Sequence, residues 1–413
     1  MDAATVRWLA SPEGWSELRS LPPYDPAGEL ALQTTLRSAG HSPEHASALL
    51  LQSRLRERAR GKFGEFANGM LFTADGLEQA TRLEVAAQHA DRYASASLAT
   101  VHDLGCGIGS DAMALSVLGV TVAAVDADEV TARIADTNLR PWPDSRARQG
   151  LAEDVALPTD SARDRVGVWL DPARRIPGVA DITGRTRRVF RLAEMSPSWE
   201  FVLDVARRVP ATGVKLSPSL AHADIPTGAE AQWVSFDGEL VECVLWFGPL
   251  ARIVGRSALV LSSGPSGPVR VEESMCVDLP PPLASLAELG PWLYEPDRAV
   301  TRAGLLGAVT ARTGGAGLGP GIGYVSAHRA VELPFARRFA VSEALPFNVK
   351  ALRAWLRDRG ITGVTIKRRG VQGDEDRLRR DLGITRKAGS GAQATIVLTR
   401  VGGQQVVLLV EPA

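Results

Sequence analysis

A chain of 413 residues, 45% hydrophobic and 23% charged, has apolar material for two or three cores and the charge density of an ordinary globular protein. Its 47 Lys and Arg offset 47 Asp and Glu, which excludes a uniformly basic polyanion binder and leaves charge to be read locally. Neither a run of about 18 apolar residues, as a membrane-spanning helix needs, nor a basic-then-apolar leader after Met1-Asp2-Ala3-Ala4-Thr5 is present, so no membrane partner is expected and the cytoplasm is the expected location.

Residues 1–95 read as an N-terminal helical region. Leu30–Leu36 and Ala46–Arg60 carry apolar residues at helical spacing, Ser42-Pro43-Glu44 has the form of a helix start, and Gly76–Tyr93 is a further predicted helix. Arg54, Arg58 and Lys62 share one helical face. They lead into Phe63, Phe66 and a stretch ending in Arg82, so Lys62 and Arg82 are candidate substrate contacts. The competing reading is a solvated helix face.

From residue 99 short apolar runs alternate with helical segments. Ala99–Leu104, Val120–Val125 and Val166–Leu170 are predicted strands, with weaker ones around Ala147–Gln149 and Gly213–Leu216; Asp111–Leu118 and Glu129–Leu139 are the helices between. Runs this apolar suit a parallel sheet covered on both faces, the α/β rhythm of a doubly wound fold. Glu239–Phe247 and Ser257–Leu261 follow without a clear helix between them, as an antiparallel pair would. Residues 262–290 are rich in Gly, Pro and Ser and read as a boundary. Beyond it lies a second α/β region, with strands at Gly363–Lys367, Ala394–Leu398 and Val406–Val410. The expected domains are therefore 1–95, 96–265 and 285–413.

The most informative stretch is Val101-His102-Asp103-Leu104-Gly105-Cys106-Gly107-Ile108-Gly109. An apolar strand ends in an acidic residue, and a glycine-rich turn then opens a helix. Such a turn lets backbone approach a ligand at the carboxyl end of the sheet. A second strand ends in Asp126, whose carboxylate suits both hydroxyls of a ribose. Gly105, Gly107 and Gly109, with Ala112 further on, do not by spacing alone exclude a dinucleotide. After the fourth strand comes Asp171-Pro172-Ala173-Arg174-Arg175. Cys106, Cys243 and Cys276 have no metal or redox spacing and the six histidines are scattered, so no metal is expected.

Asp103-Leu104-Gly105-Cys106-Gly107-Ile108-Gly109 resembles motif I of the class I S-adenosylmethionine-dependent methyltransferases, which implies a Rossmann-like domain with that cofactor. The resemblance makes Asp103, Gly105, Gly107, Gly109 and Asp126 cofactor contacts, with Asp103 holding the methionine amino group. Asp154, chosen over Glu153, takes the position that contacts adenine. In amino-methylating relatives the turn after the fourth strand reads Asp/Asn-Pro-Pro-aromatic. Here Asp171 and Pro172 match, Ala173 replaces the second proline and Arg174 replaces the aromatic; Asp171, Pro172 and Arg174 are the expected catalytic residues.

Tyr294-Glu295-Pro296-Asp297-Arg298-Ala299, Phe347-Asn348-Val349-Lys350, Val364-Thr365-Ile366-Lys367-Arg368-Arg369-Gly370 and Ala394–Arg400 look like the THUMP-like domain found behind class I methyltransferase domains. True THUMP domains help deliver RNA to modifying enzymes, so this resemblance implies an RNA partner, tRNA or rRNA, and no DNA. Between Lys350 and Lys387 there are 12 Lys/Arg against 5 Asp/Glu, a surplus of 7, which can neutralise phosphates. Lys350, Lys367, Arg368 and Arg369 are the candidate RNA contacts. The leading expectation is an enzyme methylating a base in RNA. The alternatives are a methyltransferase for a small molecule or protein, and a non-catalytic RNA-binding or assembly factor that keeps the cofactor fold. Oligomeric state is not encoded in any motif.

Overall fold

The computed structural model describes residues 1–159, 161–172, 192–384 and 392–413. These form two compact units, Met1–Glu230 with Cys243–Val254, and Ala231–Glu242 with Gly255–Ala413.

The first unit begins with helices α1 (Ala3–Leu9), α2 (Pro12–Ser20), α3 (Glu29–Ser38), α4 (Pro43–Phe63), α5 (Ala74–Gln79) and α6 (Leu83–Ser95). Side-chain oxygens of Asp2, Ser11, Ser42 and Thr73 accept from N–H groups of the first turns of α1, α2, α4 and α5, satisfying donors a helix start leaves open. Pro43 occupies the first turn of α4 as its sequence context predicts. The helix expected over 76–93 is two. The Lys62 ammonium, at the end of α4, takes the carbonyls of Leu77, Glu78 and Ala80 at 2.8, 2.7 and 2.9 Å, and the chain turns at Ala80–Arg82 before α6.

Polar side chains tie this helical layer together and to the glycine-rich turn. Gln52 exchanges two hydrogen bonds with the backbone of Phe72. Asn138 accepts from the Leu71 N–H at 2.7 Å and donates to the carbonyls of Leu71 and Ile108 at 3.1 and 2.9 Å. The Met70–Phe72 segment is thereby fastened to the glycine bend.

The sheet of this unit is built from β1 (Thr100–Leu104), β2 (Thr121–Asp126), β3 (Arg146–Gln149), β4 (Val166–Leu170) and β5 (Thr212–Leu216), with helices α7 (Ser110–Val117), α8 (Glu129–Asn138) and α9 (Trp199–Arg208). The strands β6 (Glu230–Phe236) and β7 (Glu239–Trp246) come next in the chain. The order is β3-β2-β1-β4-β5-β7. The first five run parallel, and Cys243–Trp246 of β7 lies antiparallel to β5. All five expected strands thus lie within one residue of expectation, the weaker ones at 147–149 and 213–216 included. Leu104 pairs in register with both Val125 and Leu170, so the turns after β1, β2 and β4 open at one edge of the sheet, where ligands of such folds bind. Behind that edge Tyr93, Trp169 and Trp246 form a buried aromatic cluster, and the Tyr93 hydroxyl donates to the Val168 carbonyl at 2.7 Å.

In the second unit come β8 (Gly255–Leu261), β9 (Val269–Glu272), β10 (Trp292–Pro296), β11 (Ala316–Gly317), β12 (Val325–Ala327), β13 (Ala336–Pro346), β14 (Ile361–Arg368), β15 (Ala392–Val401) and β16 (Gln404–Pro412), with helices α10 (Arg298–Arg302), α11 (Leu306–Thr313), α12 (Val349–Asp358) and α13 (Glu375–Leu382). The pair expected of 239–247 and 257–261 does not form: β6 stands between β7 and β8 in strand order, and β8 pairs with β9. A seven-stranded sheet has the order β11-β12-β10-β13-β16-β15-β14, in which only β14 and β15 are a parallel pair. Side chains alternate between two cores, as a strand's period of two requires. On β16 Val407 and Leu409 meet Leu352, Leu356 and Leu382 of α12 and α13, while Val406, Leu408 and Val410 join Leu293 and Phe339.

Candidate functional site

Gly105, Gly107 and Gly109 all have left-handed backbone, φ +90°, +55° and +86°, which L side chains rarely adopt. A Cβ on Gly105 would stand 2.9 Å from the carbonyl oxygen of Asp171, so glycine there also brings the turn after β1 against the turn after β4. A Cβ on Gly107 would meet nothing within 4 Å; the bend faces open space. Gly109 leads directly into α7. The Cys106 thiol is buried, and burial pushes its pKa well up, away from reactivity.

Asp126 closes the bend from the second strand. Its carboxylate accepts from the N–H of Gly107 at 3.0 Å and from that of Asp128 at 2.9 Å. Burial still raises its pKa, with those two N–H groups opposing. The Gly150 N–H donates to the Asp126 carbonyl at 3.0 Å, which docks the turn after β3 beside it. On that turn Leu151, Glu153 and Asp154 are exposed.

Asp103 is the anomaly. It is 1% exposed, and neither of its carboxylate oxygens has a hydrogen-bond partner among the described residues. Burial drives its pKa well above the usual carboxylate range, reinforced by the charges of Asp111, Asp171 and Asp126 and opposed by Lys215. A buried carboxylate without a partner is costly; at a ligand-binding edge it points to a cation supplied from outside the chain.

The turn after β4 carries a partner that sequence reading missed. The Lys215 ammonium, on β5, donates to Asp171 Oδ2 at 2.7 Å and to Thr81 Oγ1 at 3.1 Å. The Thr81 hydroxyl donates to Asp111 Oδ2 at 2.8 Å, and His89 Nδ1 lies 2.8 Å from Asp111 Oδ1. The His89 ring rests on Trp169, centroids 4.5 Å apart. Burial pushes the Asp111 carboxyl up, but the hydrogen bond and charge of His89, with Lys215 and Thr81, outweigh it and hold the pKa below the usual range. This polar chain runs from the turn after β4 to the first turn of α7. Its signal in the sequence is a lysine inside an otherwise apolar central strand, Thr212-Gly213-Val214-Lys215-Leu216. Pro172 is buried next to Asp171. Arg174 lies outside the described residues.

Lys62 is taken up by three backbone carbonyls, and burial, with Arg82 and Lys215 nearby, pushes its pKa down to about 8. Arg82 is half-buried and donates to the Gly61 carbonyl at 3.2 Å. Both fasten the end of α4 to the α5–α6 turn. In the second unit Lys350 is exposed on the first turn of α12. Lys367 pairs with Glu295 on β10. Arg369 stands 3.9 Å from the same carboxylate, with its guanidinium 5.0 Å from the Tyr324 ring. Arg368 donates to the Gly373 carbonyl. Of the four predicted RNA contacts, only Lys350 is exposed; Arg353, Arg357, Arg377 and Arg380 on α12 and α13 are exposed as well.

Residues 336–412 match the family described as THUMP domain-like, and residues 2–59 match a domain of unknown function. Two Mycobacterium tuberculosis proteins, from strains CDC 1551 / Oshkosh and ATCC 25618 / H37Rv, each described as an uncharacterized S-adenosylmethionine-dependent methyltransferase, are 34% identical over 371 residues, 87% of this chain and 94% of theirs. A solved structure of a putative methyltransferase from Porphyromonas gingivalis W83 shares the fold over 95% of this chain and 100% of its own, with a TM-score of 0.73 at 20% identity.

Proposed function

The chain belongs to the S-adenosylmethionine-dependent methyltransferases, the family of its mycobacterial relatives, and on that premise we propose that it methylates a base in RNA, of the transfer or ribosomal class. The observation that carries the site is Asp103, a carboxylate buried at the glycine bend with neither oxygen hydrogen-bonded. The residues present fit the cofactor. Asp103 would meet the methionine ammonium, the open bend at Gly105 and Gly107 would admit the chain of the ligand, Asp126 would accept hydrogen bonds from the ribose hydroxyls, and the Leu151–Asp154 turn would border the adenine. When bound, S-adenosylmethionine supplies an electrophilic methyl group on a cationic sulfur.

The protein's own work is placement. Lys215 donates to the Asp171 carboxylate and fixes its position, and the Asp171 carbonyl abuts the glycine bend. A target amine that donates to this turn has its lone pair aimed at the bend, and transfer then depends on proximity and orientation. The THUMP domain-like match at 336–412 and the exposed cations of α12 and α13 support RNA as the carrier of that amine.

Nucleoside mass spectrometry of RNA from cells lacking the gene tests this reading: one methylated nucleoside is expected to disappear and to return on complementation. An unchanged RNA nucleoside profile, with no salt-dependent binding of total tRNA by the purified chain, removes RNA and leaves the small-molecule or protein substrate.

A further inference from the structure

We propose that the first unit has a phosphate-binding cavity of its own, walled by α1 and distinct from the glycine bend. The cavity encloses about 380 Å³ between α1, α8 and the edge strand β3. Its cations come from different parts of the fold: Arg7 from α1, Arg133 and Arg140 from α8 and its end, Arg148 from β3. Two carboxylates share the wall, and both are engaged. Glu129 Oε1 accepts from Arg133 Nε and Nη2 at 2.9 and 2.8 Å, and Asp136 Oδ1 accepts the Ala147 N–H at 3.2 Å. Four guanidiniums against two carboxylates leave an excess of two positive charges. Arg7, Arg140 and Arg148, which carry it, are exposed.

Like charges brought together by three separate elements repel one another unless an anion is shared among them. Guanidinium groups are weakly hydrated planar forks that match phosphate oxygens two at a time. A cavity of this size suits a nucleotide-sized group, and beside the arginines its lining holds the small apolar residues Val6, Ala10, Ala132 and Ala147 and the neutral polar Thr137 and Gln149. The matching chemistry is a phosphoryl anion, either a phosphodiester of a bound RNA or a free polyphosphate. This inference gives a task to the first helix of the 2–59 domain, and it stands whether or not RNA is the methylated substrate.

The test uses the full chain, with total tRNA and inorganic pyrophosphate as separate probes across a salt series. The variants are R7Q/R148Q and, independently, R140Q. Calorimetric S-adenosylmethionine binding reports that each variant is folded. If the cavity grips a phosphodiester, R7Q/R148Q weakens tRNA binding about tenfold and lowers the slope of log affinity against log salt by roughly 1.4, two contacts at about 0.7 each, with R140Q losing about half as much of the slope. If it takes a free polyphosphate, pyrophosphate binding falls about tenfold in the double variant and tRNA binding holds. Either result supports the site. Unchanged affinity and slope for both probes, or no measurable binding of either by the parent chain, overturns it. Should R7Q/R148Q fail to bind the cofactor, R140Q carries the decision alone.

Discussion

Charge is used in opposite ways at the glycine bend and on the basic face of the C-terminal unit. At the bend, Asp103, Asp111, Asp126 and Asp171 lie close enough for their charges to act on one another, Asp103 and Asp111 are buried, and Lys215 pairs with Asp171. On α12 and α13, Lys350, Arg353, Arg357, Arg377 and Arg380 stand in solvent. Desolvated charges are little screened and are held in fixed geometry, so each has a large and specific effect. Exposed charges are screened and nearly interchangeable, so each has a small effect that salt erases. The contrast teaches where chemistry and where affinity reside.

The largest expected effect is at Asp171. Asp171→Ala should lower the rate of methyl transfer by about 10²–10³, the usual loss on removing one preorganised hydrogen-bonding group, while calorimetric cofactor binding stays close to that of the parent. Lys215→Met should cost a similar factor, and the double variant little more than either single, because Lys215 acts through Asp171. Fully additive losses would break the idea that the lysine is a positioning residue.

Asp103 comes next, with an effect of two signs. Asp103→Asn should weaken S-adenosylmethionine binding about 10–100-fold, in line with a charged hydrogen bond worth roughly 1.5–3 kcal/mol, yet raise the melting temperature of the ligand-free protein, since an unpartnered buried charge is removed. A pH dependence accompanies it. The folded pKa of Asp103 is raised, so between the ordinary carboxylate value and the raised one the native state holds more protons than the unfolded state. The contribution of this group to ligand-free stability therefore falls as pH rises through that window, and the asparagine variant should lose that slope in thermal melts recorded across pH. A destabilised ligand-free variant would show that Asp103 has a structural partner after all.

The same contrast explains what was legible in the sequence. Strands β1, β2 and β4 announce themselves as apolar runs, and Asp103 and Asp126 stand out because each is an acidic residue at or next to the end of one, beside a glycine-rich turn. Lys215, Thr81, Asp111 and His89 are separated in sequence and meet only when strand order is known; no local pattern encodes that meeting. Helices α1 and α2 span 7 and 9 residues, too short to display a period. Strand β6, Glu230-Ala231-Gln232-Trp233-Val234-Ser235-Phe236, is buried at all seven positions yet mixes polar and apolar residues, so neither alternation nor a continuous apolar run marks it. On the basic face the sequence showed the charge surplus but not its distribution. Lys367 and Arg369 lie on either side of Arg368, and the Glu295 carboxylate that engages them comes from β10, a strand far earlier in the chain.

That distribution supplies the smallest and most discriminating prediction. If affinity for RNA resides in exposed cations, Lys350→Gln and Arg380→Gln should each weaken tRNA binding only a few-fold and reduce the salt slope by about 0.7–0.9, with no change in melting temperature. Lys367→Gln should do the reverse: tRNA affinity near that of the parent, with stability lowered by about 1–3 kcal/mol because Glu295, only 16% exposed, loses its closest cation. Paired filter-binding and melting measurements on the three variants separate the two behaviours. A Lys367→Gln protein that melts normally but has lost RNA affinity would mean that this lysine leaves Glu295 for phosphate, and the line between buried and exposed charge would then have to be drawn within the cluster itself.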